Sequence, residues 1–186
     1  MSSIRRLPLE IWGRKWLSRL QAHADRTWIG RATFEFLMFG IKQGWACLFG
    51  GIMVGLLLTT RLYYPSHLPL ARYDFLVLAA LPVQASMLYY RLESFDEAKV
   101  IFLFHIIGTV MEIFKTSAGS WIYPEPSLLH IAGVPLFSGF MYASVGSYLA
   151  RVWRIFDFRF TYYPPRGATI VVAIAIYINF FAHHGS

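Results

Sequence analysis

Five apolar stretches recur along this chain, and each comes close to the roughly 17–25 residues that carry a helix across a bilayer. They run from Trp45 to Thr60, Phe75 to Tyr90, Ala98 to Phe114, Val134 to Val152 and Ala168 to Ala182. Charged residues are 15% of the chain and hydrophobic ones 56%, against about 25% and 45–50% in soluble domains. The excess is apolar surface, which predicts an all-α polytopic membrane protein. Five transmembrane helices are expected, at approximately 43–62, 74–91, 98–115, 134–153 and 167–184.

The net charge of +7 and pI near 9.7 are explained by topology. Eight of the seventeen basic residues precede the first stretch, from Arg5 to Lys42. If that end is cytoplasmic, the inner segments hold fourteen Lys and Arg, and the outer ones hold Arg61, Arg72 and Lys115. This satisfies the positive-inside rule and predicts a multi-pass protein of the bacterial inner membrane with a cytoplasmic amino terminus. It leaves no basic surface to assign to nucleic acid, so membrane lipids are the expected partners.

The leading segment places Leu9, Trp12, Trp16 and Leu20 on one helical face, with Arg14, Lys15, Ser18 and Arg26 on the other. That pattern predicts an amphipathic helix lying in the membrane interface. The chain therefore divides into a basic cytoplasmic segment, 1–42, and a transmembrane helical domain, 43–186. Cys47 has no cysteine partner, so it is expected to be a small packed residue. Gly51 and Gly55 form a GxxxG pair, and Gly139, Ala143 and Ser147 repeat at four-residue spacing. Both faces suit close helix packing, within the chain or in a homo-oligomer. Pro82 interrupts the second stretch near Gln84, where a kink would free a backbone carbonyl.

Ionisable side chains inside an apolar span are costly, and function is the default reading for them. The third stretch carries two, His105 and Glu112, seven residues apart on one helical stripe with Thr109 and Thr116. At about 1.5 Å per residue they lie about 10.5 Å apart along the axis, too far to share a metal ion. Glu112, His105 and Lys115 are the candidate catalytic residues. The segment after Glu112 adds Trp121, Tyr123 and Glu125, and the last stretch ends near the same face with Asn179, His183 and His184. Those six are the candidate ligand-binding residues. Adjacent histidines on a helix diverge by about 100°, so no metal site is expected, and no phosphate loop or other motif points to a cofactor. Two uses of the carboxylate remain open: acid–base work on a lipid or isoprenoid, with Trp121 and Tyr123 stacking on an apolar or cationic group, or proton coupling in a small-solute transporter. A non-catalytic assembly role is the third reading.

The block HIIGTVME from His105 to Glu112, its continuation FKTSAGSWIYPEP to Pro126 and the segment GVPLFSGFMY from Gly133 to Tyr142 resemble domain-of-unknown-function family 817 of bacterial polytopic membrane proteins. KQGWACLFG from Lys42, RYDF from Arg72 and the ending INFFAHH are similar to it as well. The resemblance implies a polytopic helical fold and no particular reaction. Family members run longer, so this chain is expected to stop short at its carboxyl end. In longer members a later glutamate-containing span loosely echoes the stretch from Glu112 to Pro124, which implies that this chain holds one half of a duplicated site.

Overall fold

The computed structural model describes residues 14–65, 67–156, 158 and 160–183. Seven helices and one short hairpin account for most of them: α1 (Arg14–Ala24), α2 (Trp28–Ala46), α3 (Leu48–Tyr63), α4 (Arg72–Tyr89), α5 (Phe95–Ser117), β1 (His130–Ile131), β2 (Val134–Pro135), α6 (Phe137–Ile155) and α7 (Arg166–His183). The all-α class expected from the apolar periodicity is the class observed.

The helix positions follow the apolar stretches, with two corrections. The stretch expected as one helix at 43–62 is broken at Cys47, where α2 and α3 meet at 63°. Cys47 caps both helices and is exposed rather than packed. The fourth stretch begins in the hairpin, because Val134 and Pro135 form β2 and α6 starts only at Phe137. Taken singly, α5 is long and apolar enough to cross a membrane; the bent α2–α3 pair passes the same test as one broken span, and α7 is a shorter apolar helix. Of the amphipathic segment, α1 carries Trp16 and Leu20 on its exposed surface, while Leu9 and Trp12 lie outside the described residues. α4 continues through Pro82 without a break.

Contacts between the helix ends set the arrangement. Arg61 at the end of α3 and Arg72 at the start of α4 both reach Glu125, beyond the end of α5. At the opposite end, Arg154 near the end of α6 pairs with Glu97 in the first turn of α5. Helices α3 to α6 therefore alternate in direction. α6 sits centrally and packs most extensively on α5, then on α3, α2 and α4. The core between them is formed by Phe49, Met53, Leu76, Ala80, Ile101, Phe137 and Ala143.

The α5–α6 contact is close because three positions lack a Cβ. A Cβ at Gly108 would lie 2.3 Å from the Tyr142 ring, one at Gly139 would lie 2.5 Å from Thr109 Oγ1, and one at Gly146 would meet Phe104 at 2.9 Å. The Gly139/Ala143 face is thus covered inside the chain, whereas Gly51 and Gly55 have nothing within 4 Å of their Cβ positions. α7 leaves nearly all of its surface exposed, with Phe180 and Phe181 packed on Phe114 of α5.

Beside this apolar core the bundle buries charged side chains and exposes large apolar ones. Asp74, Glu93, Glu97, Glu112 and Arg151 are buried, while Leu58, Leu62, Leu78, Phe102, Leu103 and Val110 are exposed.

Candidate functional site

Glu112 lies near the end of α5 with its side chain turned inward, and the residue is 5% exposed. Both carboxylate oxygens accept hydrogen bonds. Oε1 accepts from Lys115 Nζ at 2.8 Å and from the Tyr142 hydroxyl at 2.6 Å; Oε2 accepts from the Tyr123 hydroxyl at 2.7 Å. Three donors, one of them cationic, are what a buried carboxylate requires. Lys115 reaches Glu112 because residues three apart on a helix are neighbours. Tyr142 reaches it across Gly108.

Tyr123 arrives from the connection between α5 and α6, which is pinned at several points. Gly119 (φ +70°) takes the left-handed position after α5, and Ser120 N donates back to Lys115 O at 3.0 Å, the hydrogen-bond pattern of a Schellman cap. Further along, Glu125 receives both Nε and Nη2 of Arg72, at 2.7 and 2.8 Å. Asp74, 1% exposed, then accepts from Ser127 Oγ and from the backbone amides of Leu128 and Leu129, at 2.7 to 2.8 Å. A two-residue turn with positive φ at both Ala132 and Gly133 closes the hairpin, the geometry that matches strand twist. These anchors hold Trp121 and Tyr123 over the end of α5.

A cavity of about 290 Å³ opens beside the carboxylate, lined by Leu57, Tyr73, Glu112, Lys115, Trp121, Tyr123, Pro135, Phe137, Ser138, Met141 and Tyr142. Its aromatic walls stand nearly perpendicular to one another. Tyr73 meets Tyr123 edge to face at 6.0 Å and 84°, and Trp121 meets Tyr123 at 6.4 Å and 72°. Lys115 Nζ lies 5.7 Å from the centre of the Trp121 ring. Burial raises the Tyr123 phenol above its usual range, and the bond to Glu112 acts in the same direction. Tyr123 therefore keeps its proton and donates.

The residues expected from sequence divide clearly. Glu112, Lys115, Trp121 and Tyr123 come together. Glu125 lies outside the cavity lining, clamped by Arg72 and Arg61. His105 does not join Glu112: it lines a second, apolar cavity of about 340 Å³ between α4, α5 and α6, beside Gln84 and edge-on to Phe140 at 4.7 Å. Both residues face α6, and they line different cavities because seven residues separate them along the helix. Asn179 is exposed on α7, and the His183 side chain and all of His184 lie outside the described residues.

Sequence reasoning missed Tyr73, Ser138 and Tyr142. Ser138 and Tyr142 are four apart on the small-residue face of α6, and that spacing was the available signal. It also missed a second polar centre. Glu93 accepts from Gln84 Nε2, from Ser147 Oγ at 2.8 Å and from Arg151 Nη2 at 3.2 Å, and both members of the Glu93–Arg151 pair are fully buried. Among the described residues, no cluster of three or more His, Cys, Asp or Glu side chains is placed to hold a metal ion.

A buried, aromatic-walled carboxylate site at one end of an antiparallel helical bundle defines the class of this molecule. Residues 35–185 match the family described as "Protein of unknown function (DUF817)", and the chain belongs to it. It is 44% identical over 156 residues to the "Uncharacterized protein YoaT" of Bacillus subtilis (strain 168), a match covering 84% of this chain and 58% of that protein. The chain thus spans a little over half the length of that relative. No solved structure matches.

Proposed function

We propose that the chain is part of a multi-pass inner-membrane protein whose Glu112 cavity binds, and acts on, a lipid or isoprenoid substrate. One observation carries this reading. A carboxylate with three donors forms the polar end of a cavity whose other walls are mainly aromatic and aliphatic, the composition of a site for a molecule that is mostly hydrocarbon. The membrane setting is supported by the large apolar side chains exposed on the bundle and by the fourteen-to-three distribution of basic residues. Five spans would be the bent α2–α3 pair, α4, α5, α6 and α7, with the amino terminus cytoplasmic.

In this reading Glu112 is the acid–base group and Lys115 sets its charge state. To take a proton from substrate, Glu112 must exchange one of its three donors. Lys115, on a flexible stem near the end of α5 with its side chain 27% exposed, is the one that yields.

Proton-coupled transport is the second reading. Gln84 and His105, which line the second cavity together, favour it, since Gln84 Oε1 is buried without a partner and suits bridging by water.

The test is extraction of co-purifying lipids and small molecules from wild type and Glu112→Gln, read by mass spectrometry. The proposal expects a specific lipid or isoprenoid enriched on the wild type and lost from the variant. Equal bulk membrane lipid on both would end it.

A further inference from the structure

We infer that the Glu112 cavity is a cage for an organic cation, a quaternary ammonium group on its ligand, and that Lys115 occupies the cage when the ligand is absent. This rests on the binding role given to the cavity above and names the chemistry of the ligand's polar end.

Three observations converge on it. Tyr73, Tyr123 and Trp121 stand edge to face in sequence, at 84° and 72°. All three line the one cavity, so rings set at different angles surround a single space. Ring faces attract cations, and boxes of aromatic rings recognise quaternary ammonium groups. Two walls already do this: the Lys115 ammonium sits 5.7 Å from the centre of Trp121, and the Arg72 guanidinium 4.8 Å from the centre of Tyr73.

The hydrogen-bond arithmetic specifies what kind of cation. When Lys115 leaves, Tyr123 and Tyr142 still donate to Glu112, so the carboxylate chiefly offers an incoming group its charge, beside walls that are mainly ring and alkyl carbon. A primary ammonium needs acceptors for three N–H donors; a quaternary ammonium needs none. The volume, about 290 Å³, lies at the small end of ligand sites, roughly 300–1,000 Å³, and suits a head group. Lys115 is the member able to leave. Its side chain is 27% exposed, against 6% for Glu112, and it stands two residues from the end of α5 on a flexible stem.

Choline is the probe, titrated by calorimetry into the purified chain in a maltoside detergent beside its neutral carbon analogue, 3,3-dimethyl-1-butanol. Choline should bind about tenfold more tightly than the neutral analogue. Lys115→Gln should tighten choline about tenfold by removing the resident cation. Trp121→Leu should weaken it about tenfold, and that side chain is exposed enough (54%) for the fold to survive its loss. Equal affinity for choline and the neutral analogue, or no gain in Lys115→Gln, overturns the inference.

A second arm identifies the source of the ammonium group. In nanodiscs, competition against choline by phosphatidylcholine but not phosphatidylglycerol assigns the cage to a lipid head group; no competition by either assigns it to a free solute. Loss of choline binding with Glu112-dependent lipid retention intact would remove the cage and leave the proposed function standing. The reverse result would do the opposite.

Discussion

The two ends of α5 each bury a carboxylate, and they bury it differently. Glu93, just before the helix, is held by a guanidinium, an amide and a hydroxyl from α4 and α6, and the ion pair has no exposed side-chain surface. Glu112, near the far end, is held by two phenols and an ammonium, beside an open cavity. A planar guanidinium also bonded to the Trp45 carbonyl at 3.1 Å fixes three helices in one geometry. A lysine at a helix end can exchange its partner. Two buried acids of similar donor count thus divide into a fastener and a site, and solvent access to the counter-ion separates them.

The largest effect should come from the fastener. Arg151→Met leaves Glu93 buried without its counter-charge, which costs about 3–5 kcal/mol. We expect a large drop in the thermal midpoint of the purified protein. Adding Glu93→Leu to the same chain should recover most of that loss, because an apolar pair needs no desolvation. A single variant as stable as wild type would erase the distinction between the two ends.

Next in size is Gly108→Ala. The added methyl meets the Tyr142 ring at 2.3 Å, and overpacking of this kind costs about 1–3 kcal/mol. The effect should be local as well as global. Tyr142 must shift away from Glu112, so Glu112-dependent ligand retention should fall while the Glu93 end is unaffected. Unchanged retention in a destabilised Gly108→Ala protein would show that Tyr142 serves packing alone.

Helix positions were legible in the sequence to within two or three residues over α4, α5 and α7, because apolar residues recur along the whole of each run. The break at Cys47 was not legible. Apolar residues continue across it, and the contacts made on either side are tertiary, Gln43 and Trp45 meeting Tyr148 and Arg151 of α6 while Gly50 lies beside Ser144. At the site, Glu112, Lys115, Trp121 and Tyr123 could be read because they are neighbours along the chain. Tyr142 and Tyr73 come from other helices, and only tertiary packing selects them. Glu93 and Arg151 were invisible for the same reason: 58 residues separate them, and each reads alone as an ordinary boundary charge. Stripe reasoning put His105 and Glu112 on one face of the helix, and both do face α6, but it says nothing about where the neighbouring helices leave space.

The smallest effect tests the turns that deliver the two carboxylates. α4 and α5 both end in a Schellman arrangement, with Leu92 N donating to Met87 O at 2.8 Å in one and Ser120 N to Lys115 O at 3.0 Å in the other. At the Glu112 end the left-handed position is Gly119; at the Glu93 end it is Arg91, at φ 56°. A residue with a Cβ costs roughly 1–2 kcal/mol in that conformation, and glycine gives back part of the difference through its freer unfolded chain. Arg91→Gly should therefore stabilise the fold by about 0.5–1 kcal/mol, seen as a small rise in thermal midpoint. Arg91 is exposed, so its side chain offers little packing to lose. What its charge offers is orientation, since it belongs to the fourteen basic residues on the proposed cytoplasmic side. The same variant should thus weaken the orientation bias in a reporter-fusion assay while raising stability. A fall in stability instead would mean that the Arg91 side chain helps hold the Glu93 end together, and the contrast between a strained turn and a relaxed one would fail.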